Sequence, residues 1–562
     1  MKRGPVKYFT LFLALLTLSL SCVREDPEYP GTYRPPVREQ EEQRPPAPGT
    51  PTVYGKVSCD GAGISGVVVS DGYEVTVTGE DGSYELVSAK KHGYVFISIP
   101  SGYEVQGKGV QPQFYSYVRK GVTDRCDFAL ERVDQSEYTM LFFGDIHLAK
   151  RFNDVVQFRT FAADVHGYIS SHPDRPVYAT TLGDMAWDIF WVSHSYNLNS
   201  YLQEMNLSFG ESLPVFHTIG NHDHEMNLDG DFACAAEFKR VLGPTYYSFN
   251  IGGVHYIVLD DMDCYNSSSG DRGCSARVTD EQIAWLVKDI SYVPRSTPVV
   301  VTCHAPLYDN SGNFSLRNGW NLIKNFEGYS NVHFVSGHTH IVYNVDRLSS
   351  GIRVFENNSG AVCGGWWMTG DLNGISLSGD GAPSGYRIMD VKNGNMDWRF
   401  KGTGLPESYQ FRTYDRNELQ LSAEKWVPDA TANGRRLFLE TVGNYATASS
   451  ANEVLINVWD YDKSWKLSVT ENGKLLPVIQ LDDVKDPLYL VCYEAYEYEH
   501  HYDDTVYYPA YTTDHIFKVT CSSPSSTLVI KATDRFGREY TQTMTRPREF
   551  SIEEYRSANL RW

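Results

Sequence analysis

Leu213-Pro-Val-Phe-His-Thr-Ile219 is a short apolar run that stops at Gly220-Asn221-His222-Asp223, and endings of this kind recur along the chain. Tyr138-Thr-Met-Leu-Phe-Phe143 leads into Gly144-Asp145-Ile146-His147, and Val177-Tyr-Ala-Thr-Thr-Leu182 leads into Gly183-Asp184. Pro298-Val-Val-Val-Thr-Cys303 leads into His304, and Val332-His-Phe-Val-Ser336 into Gly337-His338-Thr339-His340. Each run reads as a buried strand, and glycine lets the backbone turn sharply where a strand ends. Ligands of open α/β sheets bind at strand ends. A lone Asn-His pair after a strand is an ordinary turn, but a series of such endings in one chain points to one shared site.

The ordered set Asp145-x-His147, Gly183-Asp184, Gly220-Asn221-His222-Asp223, His304 and Gly337-His338-Thr339-His340 resembles the calcineurin-like metallophosphoesterase superfamily. The match covers roughly the central half of the chain, and the flanking parts resemble accessory domains found with this enzyme in some lipoproteins. The resemblance implies an α/β central domain, a two-layer β-sandwich flanked by helices. It also implies two metal ions (Fe, Mn or Zn). The first would take Asp145, His147 and His340, the second Asn221, His304 and His338, with Asp184 bridging both. Hard oxygen ligands hold the charge of such a pair and imidazoles complete its geometry. Two metals about 4 Å apart clamp a phosphoryl group and activate a bridging hydroxide. His222 is not a ligand in this scheme. Its family counterpart hydrogen-bonds the phosphate and can protonate the leaving oxygen, which suits an imidazole near neutral pH. Asp223 either orients His222 or caps the next turn.

Departures from the family narrow the subgroup. Protein Ser/Thr phosphatases of this superfamily carry Gly-Asp-x-x-Asp-Arg-Gly, whereas Trp187 stands at the second Asp position here and no Arg-Gly follows. Purple acid phosphatases place a tyrosine ligand there, and an indole cannot bind iron. Both subgroups are disfavoured, and the role of Asp188, one residue late, stays open. Trp366 and Trp367, set among glycines, either stack on a sugar or base of the substrate or pack against the C-terminal domain. Tyr308, after His304-Ala-Pro-Leu, is a further candidate for the pocket wall.

At 562 residues the chain is too long for one core, and about 150 residues per domain suggests three or four units. Residues 1–22 read as a lipoprotein signal peptide: a basic start, an apolar run too short to span a membrane, and the lipobox-like Leu18-Ser-Leu-Ser-Cys22, with Cys22 the lipidated residue. Residues 23–52, rich in Pro, Glu and Arg, read as a disordered tether. Strand and Gly-turn patterns over 53–133 resemble a small carboxypeptidase-regulatory-like β-sandwich, read as a spacer or adhesion module. The metallophosphoesterase domain is expected over 134–404. Helical periodicity fades after it, so a C-terminal β-sandwich is expected over 405–562, which makes both flanking domains all-β. Cys264 and Cys274 flank a polar loop they could close, and Cys59 with Cys126 is a second possible pair.

A net charge of −20 disfavours nucleic acid or anionic lipid as a partner. It leaves a phosphorylated small molecule or glycan open, since metals supply local positive charge. The expected protein is a lipid-anchored phosphoesterase acting outside the cytoplasm, touching the membrane only through its anchor. The rival reading is a catalytically silent surface glycan binder on the same scaffold.

Overall fold

Alternation along the strand Glu137–Phe143 divides the centre of the molecule in two. Tyr138, Met140 and Phe142 point into one apolar core, while Leu141 and Phe143 point into another, as successive side chains of a strand must. The first core lies between two sheets. The second lies between the sheet and the helix Asp154–Ser171, whose Phe158, Phe161 and Val165 are fully buried. The computed structural model describes residues 49–225, 228–266, 272–500, 506 and 508–559. Cys22, the signal segment and most of the tether lie outside the described residues.

One central sheet has five strands in the order 215–216, 177–181, 137–143, 385–392, 395–402. The first three run parallel, and the last two are antiparallel additions. The other has six strands, in which Val254–Val258, Val299–Thr302, Val332–Ser336 and Ile352–Ser359 run parallel. Tyr247–Ile251 and Val342–Ser349 close its edges. The Tyr247–Ile251 hairpin turns at Gly252 and Gly253, both at positive φ. The helix Asp280–Ile290 starts where Thr279 accepts the Gln282 amide on its side chain. Because the ligand-bearing strands are parallel within each sheet, their carboxyl ends fall on one edge of the sandwich, and the residues after them converge there.

Residues 53–132 form a sandwich of a six-stranded and a four-stranded sheet. It packs directly against the central domain. Phe96 packs on Trp285 and Phe114 on Phe216 and Tyr247, and the Trp285 indole donates to Ser70 Oγ at 3.1 Å. Past residue 404 two four-stranded sheets form a further sandwich. A helical layer that periodicity had not revealed lies beside it: Ala432–Val442 and the helical run from Pro487 to His500. Tyrosines disguised the second of these. Tyr489 and Tyr493 are buried in the core of this unit. The C-terminal unit is joined to the central sheet by a buried ion pair, Arg387 Nη1 to Asp460 Oδ1 at 2.9 Å. Asp460 also accepts the Phe400 amide and the Asn344 side chain.

Cys264 and Cys274 are disulfide-bonded across the hairpin Met262–Asn266/Arg272–Ala276. Cys59 and Cys126 are not joined; each is a free, buried thiol. Among the described residues no helix is long and apolar enough to cross a membrane.

Candidate metal centre

The glycines before the ligands are required by proximity. A Cβ at Gly183 would come within 2.4 Å of His304 Nδ1, and one at Gly337 within 2.4 Å of Asp145 Oδ2. Each ending is therefore pressed against the side chain supplied by another. The backbone is correspondingly unusual: Asp145, His147, Asp184, His338 and His340 all take positive φ. Non-glycine residues avoid this region, and such strain gathers at functional sites.

All seven proposed ligands meet at this edge, in two sets. In the first, His147 Nε2 and His340 Nε2 are 3.1 Å apart, with Asp145 Oδ1 at 3.4 Å from His340 and 3.8 Å from His147. In the second, His304 Nε2 lies 3.0 Å from His338 Nδ1, 3.0 Å from Asn221 Oδ1 and 3.2 Å from Asp184 Oδ2. The same Asp184 oxygen is 3.4 Å from His147 Nε2 in the first set.

Carbonyl groups fix the ring tautomers. His340 Nδ1 donates to Gly364 O at 2.9 Å and His304 Nδ1 to Leu182 O at 2.7 Å. A carbonyl can only accept, so in the neutral rings Nε2 of each holds a lone pair aimed into the cluster. With these two lone pairs set beside carboxylate, amide and further imidazole groups, the cluster is a donor set suited to cations. Imidazole, carboxylate and amide oxygen fit Fe, Mn or Zn. Burial works against ionising Asp145 and Asp184, yet the positive charge that the neighbouring imidazoles take up when no cation is bound holds both carboxyls well below their ordinary range.

Main-chain donors lock the ligands. Asp145 accepts the His338 amide, and Asp184 accepts the His222 amide at 2.7 Å. Asp261 Oδ1 accepts the His304 amide at 3.0 Å. Glu356 accepts the amides of Leu307 and Tyr308 and the hydroxyl of Ser336, each at 2.8 Å, tying the segment after His304 to the strand before His338.

His222 Nδ1 lies 2.6 Å from Asp188 Oδ1, and Asp188 is buried. Asp188 thus takes the orienting place considered for Asp223. Asp223 spends its carboxylate on the amides of Met185 (2.9 Å), Ala186 and Gly220 (2.9 Å), bracing the turns that carry Asp184 and Asn221. Burial, with Asp184 beside it, pushes its carboxyl up to about 7.

The aromatic candidates separate. Trp366 stacks on His340 at 4.3 Å between ring centres and lies 4.2 Å from His147 and 4.4 Å from Trp187. Tyr508 of the C-terminal unit covers it at 5.1 Å. Trp366 is therefore a wall of the first ligand set. Trp367 is not exposed: it is 3% accessible, buried in the core beside the helix Asp154–Ser171, and its indole donates to Ile146 O. Tyr308 is fully buried against Phe314. Neither can line a substrate pocket. The backbone at Trp366 and Trp367 is left-handed, so the two neighbouring indoles diverge, one to the site and one to the core.

The sequence reading left Asp188 without a role and passed over Asp261, Glu356 and Tyr508. Asp261 had a visible signal: Val254-His-Tyr-Ile-Val258 is one more apolar strand running toward a carboxylate. Glu356 lies in mid-strand and Tyr508 far along the chain, with no local pattern to mark either.

A two-layered sandwich whose strand ends gather carboxylates and imidazoles in two adjoining sets defines a dinuclear metallohydrolase scaffold. Three family profiles match the chain in order: the N terminal of calcineurin-like phosphoesterase over residues 51–133, calcineurin-like phosphoesterase over 138–342, and the C terminal of calcineurin-like phosphoesterase over 356–540. The chain belongs to the calcineurin-like phosphoesterase family. Among curated proteins it is 27% identical to purple acid phosphatase 15 of Arabidopsis thaliana over 188 residues, 32% of this chain and 30% of that protein. It is 23% identical to purple acid phosphatase 18 of the same plant over 282 residues, 43% of this chain and 60% of that protein. The chain thus spans less than two thirds of either relative, and position 187 carries an indole with no lone pair for a metal. Among solved structures, GAP50, the anchor in the inner membrane complex of Plasmodium, aligns with 48% of this chain and 85% of its own at 12% identity. The TM-score of 0.29 carries no further argument.

Proposed function

We propose that this protein hydrolyses a phosphoester at the edge centred on Asp184, outside the cytoplasm, on a lipid anchor at Cys22. The observation that carries the reading is the single Asp184 oxygen lying 3.4 Å from His147 and 3.2 Å from His304, between the two donor sets. Asp145, His147 and His340 would hold one cation and Asn221, His304 and His338 the other, with Asp184 shared. Cations there would supply Lewis-acid polarisation of the phosphoryl oxygens and activation of the attacking water. The remaining steps belong to the side chains. Asp188 accepts the Nδ1 proton of His222, which leaves Nε2 to carry a proton to the leaving oxygen. The buried carboxylate stabilises the imidazolium that donates it. Trp366 and Trp187 keep water from the first set, and His338 is exposed, so substrate enters over the second set.

A substrate screen across monoesters, diesters, pyrophosphates and phosphorylated glycans, repeated with Fe, Mn and Zn, tests the reading. Hydrolysis that Asp184→Asn abolishes supports it. A protein that binds two metals and cleaves none of these overturns it in favour of the silent glycan binder.

A further inference from the structure

Beside the metal centre the guanidinium of Arg151 sits in an aromatic cage. Its central carbon is 3.9 Å from the ring centre of Phe152, 4.4 Å from Phe190 and 4.9 Å from Trp187. Trp187 in turn contacts His147 and His222, at 5.5 and 5.8 Å between ring centres. One indole therefore separates Arg151 from the reacting groups. Arg151 is half-buried, and among the described residues no carboxylate or carbonyl bonds its guanidinium. The nearest acid in sequence, Asp154, is committed elsewhere: it accepts the amides of Ala149 and Val155, both at 2.7 Å. The flanking backbone is held in an unfavourable form, with Lys150, Phe152 and Asn153 all at positive φ. Burial lowers the pKa of its guanidinium, against which Tyr508 and Tyr493 of the C-terminal unit and the Asp154 carboxylate act through space.

An arginine stays charged at any ordinary pH, and a caged guanidinium holds that charge in one place. Rings over the faces of the guanidinium satisfy its charge in part, but its N–H donors lie in the plane and need acceptors. No Arg151 nitrogen is both buried and unpartnered, so its donors are open to solvent and to a ligand that enters beside the site, and the strained backbone around it is of the kind that gathers at functional sites. The acceptor that matches a planar fork is an oxyanion, phosphate or carboxylate. The overall charge of −20 would repel such a group, so its recognition has to be local.

We propose that Arg151 recognises a second anionic group of the substrate, so that the preferred substrate carries an oxyanion on the far side of Trp187 from the phosphoryl group being transferred. This rests on the phosphoesterase reading and adds the substrate class.

Two matched comparisons test it. In turnover, butane-1,4-diol bisphosphate is compared with butyl phosphate, which likewise expels a primary alkoxide on a four-carbon chain. Wild type is expected to favour the bisphosphate in kcat/KM by about tenfold to a hundredfold, the range for hydrogen bonds to a charged group. Arg151→Gln should bring the ratio near the statistical value of about two that two equivalent esters give, and Arg151→Lys should recover part of the preference, keeping the charge without the fork. Because the ratio is taken within one preparation, partial misfolding cancels. A wild-type ratio near the statistical value, or an Arg151→Gln variant that keeps the wild-type ratio, overturns the proposal. In binding, calorimetry compares butane-1,4-diphosphonate and 5-phosphonopentanoate with butylphosphonate on the metal-loaded protein. A gain for the first alone assigns a second phosphate, and a gain for the second assigns a carboxylate. Either gain must vanish in Arg151→Gln, and no gain for either overturns the proposal. If no ester is turned over, the phosphoesterase reading fails while the calorimetry still decides Arg151.

Discussion

His222 Nδ1 and Asp188 Oδ1 are 2.6 Å apart, although 34 residues separate them in the chain. A buried carboxylate on one ring nitrogen fixes which nitrogen faces outward, while burial holds the ring's pKa below its ordinary value. His222→Asn should therefore retain both metals and lose about a hundred- to ten-thousandfold in turnover. The loss should be greatest for alkyl esters and smaller for nitrophenyl esters, whose leaving groups need little protonation. Elemental analysis beside a leaving-group series checks this; metal lost from the variant would make His222 a ligand instead.

Asp188→Asn should keep the metals as well but weaken the same step, by about tenfold to a hundredfold, in line with other partners that orient a functional histidine. The diagnostic is the pattern across leaving groups. If Asp188 acts through His222, the double variant should be little worse than His222→Asn alone, whereas multiplied losses would mean separate roles.

Asp184→Asn should lower occupancy at both metals, while His147→Ala should mainly empty the first. An amide has one oxygen and no charge to share between two cations. Metal stoichiometry of the purified variants distinguishes the cases, and loss of the same single metal from both would refute the shared position of Asp184.

Glu356→Gln should destabilise the fold by about 1–3 kcal/mol, because one of its backbone donors would then face an NH2 group. It should also loosen the second ligand set, since Glu356 joins the segment after His304 to the strand before His338. Denaturant unfolding and a zinc titration read the two effects; lost stability with unchanged affinity would confine Glu356 to the core.

Arg387→Met should cost about 3–5 kcal/mol, the usual consequence of leaving one member of a buried pair without its counter-charge. Calorimetry should show the central and C-terminal units still melting together at a lower temperature. Two separated transitions in the wild type would contradict their coupling.

The ligand positions were legible because each lies directly after an apolar run, and strand ends survive as a pattern in one dimension. Supporting carboxylates are different. Asp188, Asp261 and Glu356 act on partners 20 to 49 residues away, and nothing near them in sequence marks the pairing. Trp367 was misjudged because neighbouring residues on a left-handed turn diverge, and composition cannot say which indole faces the site. The helical run from Pro487 to His500 was hidden by tyrosines, whose apolar rings serve a core as well as a surface.

Asp460 holds Arg387, the Phe400 amide and Asn344 at once. A ribosome delivers these in a fixed sequence, with Asp460 the last to emerge. Nascent domains generally fold as units as they leave the exit tunnel, but here the catalytic sheet is unfinished while its final strand awaits an anion encoded some sixty codons downstream. The central domain is thus completed late, and a polypeptide released early would carry every proposed ligand yet lack the carboxylate that neutralises Arg387.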